Sequence, residues 1–398
     1  MYILIINAGS SSLKYQLFNM PAPEPLCTGL IERIGTDHSL IRHTVPSRQG
    51  NPVFEQNEPI ASHARGFEKL VALLSDSRFG VIRHPDEIVA IGHRVVHGGE
   101  GFTQATLITP EVKEKIRSYF PLAPLHTINF TCIEIAEMTF PKAQQVAVFD
   151  TAFHQTMPEY AFRYAIPEAL YRQEGIRVYG FHGTSHKYVS EKAAAWLRKP
   201  EAKLISIHLG NGCSITAIQN GRSLDTSMGF SPLAGLVMGT RSGDIDPAVV
   251  FHLMANGYSP DEVYTLLNKQ SGMAGLTGFS DMRDIKKLRD EGNPAAELAS
   301  ELYAYRVKKY IGAFAAVLNG LDAVLFTGGV GENDSDMRAR ICRNLDFLGI
   351  HLDPDKNKTS GSGLREINPA QAGVKILVVP TNEELEIARQ SFALLETD

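Results

Sequence analysis

Short apolar runs alternate with segments of helical period along most of the 398-residue chain, and this alternation constrains its fold more than any other feature. Residues 2–6, 13–18, 88–96, 145–149, 203–209, 323–326 and 375–379 read as buried strands, being brief, apolar and bounded by turn residues. Between them, Phe67, Leu70, Val71 and Leu74 recur at helical spacing. Val307, Ile311, Phe314, Ala315 and Leu318 do the same on a longer helix that Gly320 is expected to end. Helix starts are marked as well. Ser259-Pro260-Asp261-Glu262 reads as a capping box, and Thr381-Asn382-Glu383-Glu384 as a second, with Glu384 in the capping position. Strands that alternate with helices specify an α/β architecture, and the length suggests about two to three domains.

Two hairpins hint at an internal repeat. Residues 3–18 read strand, Asn-Ala-Gly-Ser-Ser-Ser turn, strand; residues 204–218 read strand, His-Leu-Gly-Asn-Gly-Cys-Ser turn, strand. One such hairpin near the start of each half suggests two similar domains, with chance similarity as the alternative. The boundary is expected just after Asp150.

Composition excludes several classes. Basic residues number 39 and acidic ones 44, so no broad positive field exists for nucleic acid, and no basic run suggests a membrane surface. No apolar stretch reaches the ~18 to 20 residues that span a bilayer, and the N-terminal run lacks the basic start of a signal peptide. Four cysteines, Cys27, Cys132, Cys213 and Cys342, stand far apart, as reduced thiols of a cytoplasmic protein would. Asn129-Phe130-Thr131 matches a glycosylation pattern that carries no meaning without secretion.

The chemistry concentrates in glycine-rich turns. Asn7-Ala8-Gly9-Ser10-Ser11-Ser12, His208-Leu209-Gly210-Asn211-Gly212-Cys213-Ser214 and Thr327-Gly328-Gly329-Val330-Gly331-Glu332-Asn333 each adjoin a strand, and such turns let backbone amides approach an anion. Neither a P-loop nor an N-terminal dinucleotide fingerprint is present, which leaves phosphate-binding folds built on hairpins. Arg94, in Gly92-His93-Arg94-Val95-Val96-His97-Gly98-Gly99-Glu100, and Arg241, in Gly239-Thr240-Arg241-Ser242-Gly243-Asp244, are candidates for bidentate anion binding; each could instead satisfy loop carbonyls. His182 and His186 are four apart but lack the glutamate of a zinc helix. Asp150 ends a strand, and Glu383 opens the last helix; two acids suffice for Mg²⁺, which fills its shell with water and phosphate oxygens.

Together with Pro124-Leu125-His126, Val148-Phe149-Asp150-Thr151-Ala152-Phe153-His154, residues 179–186 and residues 380–384, these segments resemble the acetate kinase family of the actin/hexokinase/Hsp70-like phosphotransferases, in family order over nearly the whole chain. The resemblance implies two duplicated ribonuclease H-like (actin-like ATPase) domains with a cleft between them. Residues 1–150 would form the first, joined by a C-terminal helix at 384–398. Residues 151–383 would form the second, for nucleotide binding and dimerisation. It implies a homodimer that interconverts ATP and acetate with ADP and acetyl phosphate, using Mg²⁺ with Mn²⁺ as the alternative, and with no nucleic acid or membrane partner.

Carried over by residue, Asn7 and Glu383 would serve the metal. Lys14, His208, Leu209, Gly210, Asn211, Gly212, Asp281, Met282, Arg283, Gly329, Val330, Gly331, Glu332 and Asn333 would bind the nucleotide. Arg94 would hold acetate, with Val96, Leu125, His126, Phe181 and Pro232 around it. His182 and Arg241 would stabilise the transition state, and Asp150 is the family's proposed catalytic acid. Acetate is already ionised, so no base is required, and Asp150 is expected to act mainly through Mg²⁺. The related propionate kinases carry a smaller residue at the position of Val96, which favours acetate here. A propionate kinase remains the competing enzyme, and a nucleotide switch of the actin or Hsp70 type the competing non-enzyme. Between ATP, GTP and pyrophosphate the sequence does not choose.

Overall fold

The computed structural model describes residues 1–46, 50–122 and 126–396. They form two compact units, Met1–Ala152 with Asn382–Asp398, and Phe153–Thr381. The first contains β1 (Tyr2–Gly9), β2 (Ser12–Asn19), β3 (Pro25–Glu32), β4 (Ser39–Thr44), β5 (Val53–Glu58), β6 (Ile88–Val95), β7 (Thr106–Leu107) and β8 (Gln144–Phe149) in one sheet of order β5-β4-β3-β2-β1-β6-β8-β7. The second contains β9 (Lys203–Leu209), β10 (Cys213–Gln219), β11 (Arg222–Thr226), β12 (Ala323–Thr327), β13 (Arg365–Glu366) and β14 (Lys375–Val378), ordered β11-β10-β9-β12-β14-β13.

The repeat hinted at by two hairpins extends through both sheets. β3-β2-β1-β6-β8 and β11-β10-β9-β12-β14 have the same order, and β1 and β9 each pair antiparallel with the next strand and parallel with the following neighbour. The third members, β8 and β14, are also parallel. In each unit the carboxyl ends of three adjacent parallel strands therefore open on one edge of the sheet, which is where α/β folds bind ligands.

Packing follows from the apolar pattern. Helix His63–Leu74, capped by the Ser62 side chain, buries Phe67, Leu70, Leu73 and Leu74. These join Leu4, Ile6, Leu13, Leu17 and Ile31 in the core of the first unit. Each such side chain contributes about 1.5 to 3 kcal/mol by leaving water. The final helix, Glu383–Glu396, packs on β1 and β6. Gly92 permits that approach, because a Cβ there would lie 2.8 Å from Ile387 Cγ2 and from Ser391 Oγ.

Three local expectations change. Asn382, not Thr381, caps the final helix, its Oδ1 accepting from Leu385 N at 3.0 Å. Glu384 is then released from any capping role. The long helix Pro294–Val317 ends through Asn319 in the left-handed region, with Gly320 following it. Residues Gly328–Asn333 do not merely precede a helix but form one. The box at Ser259 and Glu262 forms as expected. All four cysteines are buried free thiols. Asn129 is buried, its side chain joining Val96 N to Ala8 O, so no glycan can reach it. No helix among the described residues is long and apolar enough to cross a membrane.

Candidate active site

In the first unit, Asn7, Arg94 and Asp150 lie at or just past the ends of β1, β6 and β8, so the parallel pairing itself brings them together. Arg94 donates from Nε to Asp150 Oδ1 at 3.0 Å and from Nη2 to Oδ2 at 2.7 Å. Its Nη1 lies 3.4 Å from Asn7 Oδ1 and 3.7 Å from Glu383 Oε2. Asn7 Nδ2 donates to Glu384 Oε1 at 3.4 Å. Burial opposes the charge on Arg94, but Asp150 and Glu383 overcome it and hold the guanidinium above its ordinary value. Burial pushes the Glu383 carboxyl up; Arg94 opposes this, and Asp150 and Glu384 add to it.

Three carboxylates thus share one guanidinium. That surplus of negative oxygen suits a hard cation that takes one or two carboxylates and completes its shell with water and phosphate. No cluster of three acids, histidines or cysteines able to chelate a metal forms among the described residues.

In the second unit, the β9–β10 turn packs under two cationic candidates. A Cβ on Gly212 would lie 2.7 Å from Arg241 Nη2 and 3.4 Å from His182 Nε2, so both side chains rest directly on that backbone. Arg241 Nη1 donates to Pro232 O at 2.6 Å, and burial pulls its pKa below the usual arginine value. His182 has a left-handed backbone, φ 56°, at the start of helix Gly183–Leu197.

Its Nδ1 lies 2.9 Å from Ser214 Oγ, which also meets His186 Nε2 at 2.7 Å; His186 Nδ1 meets Ser206 Oγ at 2.8 Å. Burial, with His154 and His208 nearby, keeps His186 neutral. It therefore has one N–H and one lone pair, and both are taken by serines, which leaves no ligand for a metal. The His208 ring lies 4.5 Å from that of His182, and its Nδ1 meets Ser185 Oγ at 2.8 Å.

Beside this turn is a cavity of about 750 Å³ lined by Gly210, Asn211, Ser280, Asp281, Met282, Arg283, Lys286, Gly329, Val330, Asn333 and Asp334. That volume accommodates a nucleotide-sized ligand. Behind the lining residue Asn211, Gly239 permits a close approach: a Cβ there would lie 2.0 Å from Asn211 Oδ1.

A family model described as the acetokinase family matches residues 2–389. The chain belongs to that family. It is 55% identical over 398 residues to an acetate kinase of Flavobacterium johnsoniae, covering 100% of both chains. A crystal structure of Porphyromonas gingivalis acetate kinase is 42% identical, with a TM-score of 0.92 over 99% of each chain. A propionate kinase from Francisella tularensis is 44% identical, with a TM-score of 0.90 over 98% of each.

The residues expected at a site fall into distinct places. Asn7, Arg94, Asp150 and Glu383 meet in the first unit. Lys14 is also in that unit, paired with Asn7 across β1 and β2. Val96 is half-buried, and His126 is fully buried, where burial pulls its pKa down to about 4 against the effect of the His97 backbone. Leu125 lies outside the described residues.

Phe181 is buried in the second unit, where its carbonyl accepts from His154 Nε2. Of the nucleotide residues there, His208, Leu209, Gly212, Gly331 and Glu332 do not line the cavity. The Glu332 carboxylate turns instead to Gly328 N and Thr381 N, at 3.0 and 3.1 Å. Ser280 falls in the segment 279–283 expected to touch the nucleoside, whereas two lining residues, Lys286 and Asp334, were not anticipated. Lys286 was discoverable, since it stands one helical turn beyond Arg283 on helix Met282–Asp290.

Proposed function

We propose that the protein interconverts ATP and acetate with ADP and acetyl phosphate by direct in-line transfer of the γ-phosphoryl group. Similarity to acetate kinases over the whole chain carries this reading. The site chemistry agrees with it. An acetate oxygen attacks the γ-phosphorus, the bond to the bridging oxygen breaks, and its electron pair leaves with ADP. No proton has to be removed, so catalysis rests on position and charge.

Arg94 holds the acetate carboxylate, and Asp150 keeps Arg94 oriented by accepting from its Nε and Nη2 instead of serving as a base. Asp150 also adds to the negative surroundings that suit a cation. Asn7 and Glu383 would hold Mg²⁺, whose charge would offset that of the phosphate oxygens. Arg241 and His182 neutralise charge on the group in transfer. The remaining nucleotide contacts belong to the cavity beside the β9–β10 turn. A nucleotide switch would have no use for Arg94, His182 and Arg241.

Acyl phosphate trapped with hydroxylamine, from ATP, Mg²⁺ and either acetate, propionate or butyrate, tests the reading. The expected kcat/KM is highest for acetate. No acyl phosphate with any acid, despite ATP binding, would move the reading to a nucleotide switch. The propionate kinase among the similar structures favours propionate as the second reading. Val96→Ala should enlarge the methyl pocket and shift relative kcat/KM toward propionate by about tenfold, one methylene being worth ~1 to 3 kcal/mol. An unchanged ratio would remove Val96 from the pocket wall.

The chain acts as a homodimer in this proposal. Helix Pro247–Ala255 is apolar yet buries none of its residues, and Phe251, Met254, Tyr258, Tyr264, Leu298 and Tyr305 are exposed. Arg306 and Tyr310 each hydrogen-bond Asp244. The exposed apolar side chains of helix Pro247–Ala255 support an interface there. Phe251→Asp should convert a dimer to a monomer by light scattering; a monomeric parent protein would refute the dimer. The buried free thiols support a reducing, cytoplasmic location.

A further inference from the structure

We propose that Arg338 is a positioning residue for the nucleotide: it fixes, from behind, the glycine-rich segment that forms one wall of the 750 Å³ cavity. The proposal rests on the reading of that cavity as the nucleotide site.

Four of the cavity's lining residues, Gly329, Val330, Asn333 and Asp334, come from the segment that follows β12. Its helix, Gly328–Asn333, has only six residues and four glycine or asparagine positions among them, far too little to hold itself together. Its carbonyls also need donors.

Both ends are tied down. At the front, the Glu332 carboxylate accepts from Gly328 N and Thr381 N, which joins the segment to the end of β14. At the back, Arg338 Nη1 donates to Gly331 O at 2.9 Å and to Glu332 O at 3.0 Å. Arg338 Nε and Nη2 donate to Asn357 Oδ1 and Asn357 O, both at 2.8 Å. Asn357 in turn donates to Ser335 O at 2.7 Å. Arg365 Nη2 adds a second donor to Glu332 O at 2.7 Å.

Arg338 is only 2% exposed, and all four of these hydrogen bonds end on neutral oxygens. Burial, with Arg365 nearby, lowers its pKa to about 10, so it stays charged at neutral pH. A buried charge of this kind is a poor way to gain stability, because an apolar side chain of similar size would pack there without the desolvation cost. What the guanidinium adds is a rigid fork spanning two segments, with the carbonyls of Gly331 and Glu332 on one side and Asn357 on the other. The geometry of the cavity wall then depends on a residue that does not line the cavity.

The test compares Arg338→Lys, Arg338→Met and Arg365→Gln with the parent enzyme, each checked for folding by its thermal melt. ADP affinity is measured by calorimetry, and KM is measured separately for ATP and acetate. Both Arg338 variants should weaken ADP binding and raise the KM for ATP by about tenfold, a loosened site losing that much through misplacement alone. The KM for acetate should stay within about twofold, and lysine, lacking the fork, should not rescue.

A purely structural role would lower the melting temperature without this split. Unchanged ADP affinity in a folded Arg338 variant, or equal rises in both KM values, overturns the proposal. If neither Arg338 variant folds, Arg365→Gln decides: a selective loss of ADP affinity of about threefold supports the clamp, and none overturns it. A parent enzyme that makes acyl phosphate from ATP but whose variants bind ADP normally sinks the clamp alone. A parent that binds no ADP sinks the nucleotide reading with it.

Discussion

Arg94→Ala should lower kcat by about 100-fold or more, roughly 3 kcal/mol of transition-state stabilisation, and Arg94→Lys should recover little of it. The guanidinium is fixed on one side by Asp150 and faces Asn7 and Glu383 on the other. Lysine could keep the charge but not both directions. The alanine variant should also be less stable, by about 3 kcal/mol or more, because Asp150, Glu383 and Glu384 would be left without their shared cation.

Glu383 is already raised from the ordinary 4.5, and losing Arg94 raises it further. The folded state then holds protons that the unfolded state releases, so stability present in acid is lost as pH rises from about 4.5 through the folded value. The melting-temperature deficit of Arg94→Ala should be smaller at pH 5 than at pH 7. Adding Asp150→Asn should restore part of the stability and none of the turnover. Near-parental kcat in Arg94→Ala would remove Arg94 from the mechanism.

Much of this arrangement was legible because it is local. An apolar run bounded by glycine or asparagine reads as a strand end, and residues 203–209 match β9 in full. Once β1, β6 and β8 are adjacent and parallel, Asn7, Arg94 and Asp150 must share one edge, although they are far apart in sequence. What stayed hidden depends on side-chain reach. Thr381 and Asn382 are both acceptable caps on paper, and it is Asn382 whose Oδ1 accepts from Leu385 N. Glu332 reads as a loop acid free to meet a ligand, yet two backbone amides take it. The contact between Arg338 and Asn357, 19 residues apart, leaves no mark in the sequence.

Arg241→Ala should also lower kcat by about 100-fold or more, with lysine again a poor substitute. Gly212→Ala changes the backbone beneath the cation and leaves the cation itself in place. A Cβ at Gly212 would come within 2.7 Å of Arg241 Nη2, the mobile end of a long side chain. The arginine can give way, so the fold should survive and the melting temperature should stay near that of the parent. The guanidinium, however, is also held by Pro232 O at 2.6 Å, and it cannot yield to a methyl group without leaving that position. Gly212→Ala should therefore retain the charge, lose its placement, and reduce kcat by about 100-fold, the cost of an error of roughly 1 Å at a reacting group. If Gly212→Ala turned over at the parental rate while Arg241→Ala did not, the charge of Arg241 would matter and its position over the turn would not. Preorganisation would then be the wrong account of this half of the site.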